Sequence, residues 1–200
     1  MKYNQRFITK ISWIITSKCN LHCKHCYLDA SPNNYDLVNK RHLSDIIRKI
    51  VDLNIKVVYI SGGEPLLYPY LKYLLRELKN NELWIGLCTN GTLLARRQDI
   101  LKYVDYISIG IESVDSKILK YIRGISIEDI KKSLSLLAKY SIDVGIDVTL
   151  MSINLVNHFE DIIYFALENN ISKIDILSLI HISKPTRPLY MSYAVFCLKK

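Results

Sequence analysis

Cys19, Cys23 and Cys26 lie within eight residues of one another, in the stretch Cys19-Asn20-Leu21-His22-Cys23-Lys24-His25-Cys26-Tyr27. Three thiols so close can converge on one metal centre, and the C-x3-C-x2-C spacing places them on a short irregular loop rather than on one helix face. The number three is informative. A structural zinc site closes with four protein ligands, whereas an iron–sulfur cube held by three cysteines leaves one iron open to a substrate or cofactor. For this segment by itself, a zinc site of the three cysteines with His22 or His25 is the competing reading. Further on, Gly62-Gly63-Glu64-Pro65 joins two residues whose bare backbone can approach a ligand closely to a carboxylate that can accept hydrogen bonds from an ammonium. The same four residues also suit a plain turn between a strand and a helix. Thr89-Asn90-Gly91 reads equally as an Asn-Gly turn, and Glu112 and Arg123 as solvated loop charges.

The elements that must position these residues alternate along the chain. Lys10 to Ser17 is short, apolar and β-branched, a buried strand that feeds directly into the cysteine loop, and the Asn-, Ser- and Pro-rich residues 29–39 read as loop. Leu43, Ile46, Ile47, Ile50 and Val51 recur at helical spacing. Lys56 to Ser61 is a second strand, and Leu67, Tyr70, Leu71, Leu74, Leu75 and Leu78 mark a second helix. Strands over 83–88, 106–111, 143–150 and 173–180 follow. Between them fall a weaker helix at Ile100, Leu101 and Val104, a helix opening at Ser126 with an N-cap and acidic first turn, and another over 159–168. Strands alternating with helices long enough to cross over imply a parallel sheet, and right-handed crossovers curl it. The expected fold is α/β, a partial (β/α)6 TIM-like barrel whose closing helix the sequence does not establish. Residues 1–9 are a lead-in, 10–180 the barrel, and 181–200 a truncated or atypical tail. In that tail, residues 181–190 hold two prolines and read as loop, and 191–200 are too short to assign. Each polar cluster follows a strand, and in a parallel barrel those loops share the face where catalysis is placed. Thr149, Asn154 and His181 occupy the later strand ends.

With 200 residues, 50% hydrophobic and 23% charged, the chain can bury a substantial core, so one domain is the default. Its net charge of +8 comes from scattered lysines and arginines with no basic run, which speaks against nucleic-acid binding. No stretch of about 18 apolar residues suggests a membrane span, and the first ten residues do not read as a signal peptide. Three clustered cysteines with Cys88 and Cys197 standing alone are no disulfide framework, so a reducing, cytoplasmic setting is expected.

The cysteine motif resembles that of the radical S-adenosylmethionine (SAM) superfamily, C-x3-C-x-aromatic-C, with His25 in the aromatic position and Tyr27 just beyond. Gly62 to Pro65, some 36 residues after Cys26, is similar to the family's Gly-Gly-Glu-Pro, which holds the amino group of the SAM methionine part. Thr89-Asn90-Gly91 resembles the next strand end, and Ile109 to Ser113 with Arg123-Gly124 the fourth-strand segment. The nearest flavour is that of haem-synthesis decarboxylases and peptide-maturing enzymes, many of which carry a cysteine-rich C-terminal extension. Here only Cys197 lies beyond the barrel, so the chain is either a minimal core or a shortened version of a longer one.

The resemblance implies a [4Fe-4S] cluster on Cys19, Cys23 and Cys26. It implies SAM contacts from His25, Tyr27, Gly62, Gly63, Glu64, Thr89 and Asn90, with Glu112 accepting from the ribose hydroxyls and Arg123 pairing with the SAM carboxylate. Reductive cleavage of SAM would give a 5′-deoxyadenosyl radical that abstracts hydrogen from a small-molecule or peptide substrate, with electrons from a donor such as ferredoxin or flavodoxin. The competing classes are a degenerate relative serving as a non-catalytic subunit and a zinc-stabilised binding module. Inward-facing residues would select the substrate, and the sequence does not say which those are.

Overall fold

The computed structural model of the chain describes residues 8–155, 158–179 and 191–197. Seven strands form one sheet in sequence order: β1 (Lys10–Ile14), β2 (Val57–Ser61), β3 (Trp84–Thr89), β4 (Tyr106–Gly110), β5 (Asp143–Leu150), β6 (Lys173–Leu179) and β7 (Met191–Cys197). The first six are parallel and curl into a half-barrel, and β7 pairs antiparallel with β6. Helices α1 (Lys40–Asp52), α2 (Leu71–Asn80), α3 (Ser116–Arg123), α4 (Ile127–Leu137), α5 (Ser152–Leu155) and α6 (Phe159–Glu168) make the connections.

Side chains alternate across each strand. Val58, Ile60, Ile85, Leu87, Ile107, Ile109, Ile146 and Val148 are wholly buried on the convex side, where they meet Leu43 of α1, Leu71, Leu74 and Leu75 of α2, Leu119 of α3, Ile130 of α4 and Ile162 of α6. The intervening residues face the concave side and differ in kind: Ser12, Tyr59, Ser61, Trp84, Cys88, Tyr106, Ser108, Asp147, Lys173 and Asp175. One face of the sheet therefore supplies the hydrophobic core, and the other lines a polar and aromatic hollow.

Local chemistry sets the helix ends. Asp115 accepts from the backbone N–H groups of Lys117 (2.7 Å) and Ile118 (3.2 Å) to open α3, and Gly124 closes it in the left-handed region at φ 80°. Ser126 and Asp129 form a capping box on α4, as the sequence suggests.

Two expectations are corrected and one unassigned stretch is filled in. The second helix does not begin at Leu67: a 3-10 turn covers Pro65–Leu67, Tyr68 is extended before Pro69, and α2 starts at Leu71, because a residue preceding proline is pushed out of helical space. The weak helix near Ile100 is a pair of 3-10 turns, Leu94–Arg96 and Gln98–Tyr103. The tail residues 191–197 are strand, and they pair with the edge that β6 would otherwise leave open. His181 lies outside the described residues.

Candidate active site

The chain leaves β1 through Ile15, Thr16 and Ser17 into the cysteine loop, which several bonds hold at the strand ends. The N–H of Cys19 donates to the Ser31 carbonyl at 3.1 Å, and the N–H of Lys24 donates to the Ile122 carbonyl at 3.0 Å, fixing the loop to the end of α3. The Lys24 ammonium caps the Tyr121 ring, 3.1 Å from its centroid. Cys19, Cys23 and Cys26 then line one cavity of about 160 Å³, together with His25, Tyr27, Gly62, Gly63, Thr89, Asn90, Arg123 and Asp147.

Two of the three sulfurs already have donors directed at them. Leu21 N–H approaches the Cys19 Sγ at 3.4 Å, Ala30 N–H the Cys26 Sγ at 3.4 Å, and the Asn90 amide the Cys19 Sγ at 3.8 Å. Such bonds favour thiolates and tune an iron–sulfur centre. Burial raises the Cys19 thiol and pushes Cys23 up to about 11, so a metal must displace the proton when it binds. Among the described residues no three Cys, His, Asp or Glu side chains close on a single-ion position. His22 is exposed, and the His25 Nε2 is turned to Glu112. The donor set therefore suits a larger cluster held by three thiols, rather than one tetrahedral zinc ion.

Gly62 and Gly63 cross directly beneath the loop. A Cβ on Gly62 would strike the Thr16 carbonyl, and one on Gly63 the Lys18 carbonyl. Gly63 N–H donates to Thr16 O at 2.8 Å, and Glu64 N–H to Lys18 O at 2.7 Å. Only glycine allows this contact, which brings the turn's backbone to the cavity wall.

Glu64 is placed differently from the sequence expectation. Its side chain is wholly buried and does not line the cavity: one oxygen accepts from Leu66 N–H (3.0 Å), the other from Asn90 N–H (2.8 Å), and the Thr89 hydroxyl lies within 2.9 Å of both. Burial raises its carboxyl against the pull of these donors. Glu64 thus braces the turn to the end of β3, and the Gly62–Gly63 backbone is the part that meets the cavity.

Glu112 also departs from its expected role. It is fully buried and pairs through both oxygens with the Arg123 guanidinium (Nη2 to Oε1, 2.6 Å), while His25 Nε2 lies 3.3 Å from Oε1. It is buried away from the cavity with both oxygens engaged, and it is the partner that aims Arg123, which does line the cavity. Gly110 makes room for this pair, since a Cβ there would collide with the guanidinium. Burial lowers His25 against the attraction of Glu112, and its Nδ1 is buried with no partner among the described residues. Thr149 lines the cavity. Asn154 does not: its buried amide donates to the Glu112 and Thr149 carbonyls at 2.8 and 2.9 Å and ties two strand ends together.

The structure also brings in residues that the sequence does not single out for the site, namely Cys88, Asp147 and Leu177 on the concave ends of β3, β5 and β6. A signal for Asp147 was present: residues 143–150, Asp-Val-Gly-Ile-Asp-Val-Thr-Leu, alternate polar and apolar, which a parallel strand buried on both faces does not do.

Comparison with known proteins places this geometry. Residues 13–166 match the model of the radical SAM superfamily. The chain is 26% identical over 182 residues to a probable GTP 3′,8-cyclase of Sulfurisphaera tokodaii, covering 87% of this chain and 57% of that protein. It is 30% identical over 138 residues to one from Methanococcus aeolicus, covering 66% and 46%. The chain thus spans about half the length of the curated relatives it matches. Among solved structures, Streptococcus suis SuiB bound to S-adenosylmethionine superposes with a TM-score of 0.76 at 18% identity, over 88% of this chain and 42% of that one. Native anSMEcpe with bound AdoMet superposes with a TM-score of 0.70 at 17% identity, over 88% and 54%.

Proposed function

The chain belongs to the radical SAM superfamily, and on that premise we propose that it is an enzyme that cleaves S-adenosylmethionine reductively at a [4Fe-4S] cluster on Cys19, Cys23 and Cys26. Members of this family bind that cluster and that cofactor. The observation that carries the reading is the convergence of three thiols, their N–H donors and the Gly62–Gly63 backbone on one cavity. When bound, the cluster and SAM supply a 5′-deoxyadenosyl radical able to abstract hydrogen from a substrate.

The chain's own residues then have defined tasks. The Gly62–Gly63 backbone would hold the SAM amino group, and Arg123, aimed by Glu112, would pair with its carboxylate. Thr89 and Asn90 close the wall between the turn and Cys19, and the rings of His25 and Tyr27 would flank the cofactor. Glu64 keeps the turn rigid from behind. Electrons come from a small donor such as ferredoxin or flavodoxin, which suits a reducing, cytoplasmic compartment. Among the described residues no helix is long and apolar enough to cross a membrane. The substrate is a small molecule or a peptide segment. The relatives' name, GTP 3′,8-cyclase, makes a nucleotide one substrate to be tested.

The test is anaerobic reconstitution with iron and sulfide followed by dithionite and SAM. About four irons per chain and release of 5′-deoxyadenosine are expected, and Cys19→Ala, Cys23→Ala and Cys26→Ala should each lose both. A Cys23→Ala protein with full iron and full cleavage refutes the assignment.

A further inference from the structure

Below the thiol cavity lies a second hollow of about 580 Å³, lined by Lys10, Ser12, Tyr59 and Lys173 and sharing Tyr27, Ser61, Cys88, Asp147 and Leu177 with the first. Its size is that of an ordinary small-molecule site, roughly 300–1,000 Å³. Tyr59 gives it an aromatic wall, backed by Tyr106, to which Tyr59 is edge-on at 6.1 Å and on which Trp84 stacks at 5.9 Å. Asp147 sits at the seam between the two chambers.

The polar groups around Asp147 do not balance one another. Asp147 and Asp175 are register neighbours on β5 and β6, so their side chains leave the sheet on the same face about 4.8 Å apart. Lys173 donates to one Asp175 oxygen at 2.7 Å, but the other is buried with no hydrogen-bond partner. The Ser108 and Tyr106 hydroxyls, also on the concave face, are buried beside these acids, with Ser108 near enough to Asp147 to favour its ionised form. Asp147 makes no salt bridge among the described residues. Two adjacent carboxylates thus share one lysine, and one Asp175 oxygen has no donor at all. Such groups are costly unless something donates to them. Water could satisfy the hydroxyls but would leave the second negative charge uncompensated. A divalent cation would face stronger repulsion from the Lys173 ammonium than a singly charged group would, and it brings no N–H donors to the polar atoms around Asp147.

We propose that this lower chamber binds the protonated primary amine of a substrate, with Asp147 at the seam and Asp175 behind it as the acceptors. The inference rests on the radical SAM reading only for its purpose: an amine held at the seam presents its neighbouring carbons to the thiol cavity. The amine can belong to a free amino acid or to a lysine within a peptide.

Calorimetric titration of the reconstituted 200-residue chain with L-lysine, with the tripeptide Ala-Lys-Ala amide, with the Nε-acetylated form of each, with GTP and with magnesium chloride tests this. One or both amines should bind, and acetylation or Asp147→Asn should weaken that binding at least tenfold, with Asp147→Glu retaining part of it. The preference between the free amino acid and the tripeptide names the source. Equal binding of acetylated and free amines, equal binding by the Asn variant, or binding of GTP or magnesium alone overturns the proposal. Circular dichroism and unfolding confirm that the variants fold. Iron content and SAM cleavage are measured on the same preparations. Material that lacks the cluster yet binds amines sinks the cofactor reading and leaves this one, whereas cluster-loaded material indifferent to amines sinks this one alone.

Discussion

Removing the Asp147 charge should make the protein more stable, and by an amount that depends on pH. Burial pushes this carboxyl from 3.8 up to about 6, with Ser108, Arg123 and Lys173 pulling it down and Asp175 pushing it further up. Between those two values the folded chain holds a proton that the unfolded chain has lost. Wild-type stability therefore falls as pH rises from about 4 to about 6 and is level above. At about 1.4 kcal/mol for each pH unit of difference, the ionised carboxylate costs the folded state up to about 3 kcal/mol at pH 8 and about 0.5 kcal/mol at pH 4. Asp147→Asn lacks this slope. Asp115, Glu128 and Asp129, which their cap hydrogen bonds hold below the usual range, give a slope of the opposite sign. That contribution is common to both proteins and cancels in the difference. The groups facing Asp147 are Cys88, Ser108, Tyr106, Arg123, Lys173 and Asp175, of which Cys88 and Tyr106 are pushed far upward by burial and stay neutral through this window. Urea unfolding of the two proteins at pH 4 and pH 8 should show the Asn variant's advantage growing by about 2.5 kcal/mol across that range. A constant difference, or one that shrinks towards pH 8, would refute the claim that an uncompensated carboxylate stands at the seam. A gain in stability coupled to a loss of ligand binding is the trade expected of a functional group.

Arg123→Ala should cost about 3–5 kcal/mol in urea unfolding, because it leaves the wholly buried Glu112 without its cation, whereas Arg123→Ala together with Glu112→Gln should recover most of that loss. Gly110→Ala should act in the same direction by driving the guanidinium off Glu112, and its SAM affinity, read by calorimetry, should fall with it. Leu74→Ala, in the wholly buried seam between α2 and the sheet, should lower unfolding free energy by about 2–5 kcal/mol with no change in iron content. Ser126→Ala removes one half of the α4 capping box and should cost about 1 kcal/mol in the same assay.

What could be read in the sequence follows from how local each signal is. The cysteine trio, the Gly-Gly turn and the six strands are contiguous patterns, and each lies where the pattern places it. The β7 strand was not legible, because its reason for existing is the open edge of β6, a partner far removed in kind from anything within residues 191–197. The roles of Glu64 and Glu112 were not legible for a related cause. A carboxylate after a strand reads the same whether it faces a ligand or turns inward, and only the three-dimensional neighbours decide. For Glu64 these are Thr89 and Asn90, 25 and 26 residues away; for Glu112 the partner is Arg123, which Gly110 admits. Both acids therefore act on the cofactor's cavity from behind, through the backbone turn and the guanidinium that they hold. The concave-face acids invert this logic. Asp147 and Asp175 sit within strands, where a charged residue is out of place in a parallel sheet, and the alternation that exposes them is itself contiguous. Departure from the hydrophobic pattern in the middle of a strand thus marks these acids more plainly than a polar residue in a loop is marked, since a charged side chain fits there only where the sheet face opens on a hollow instead of the apolar core.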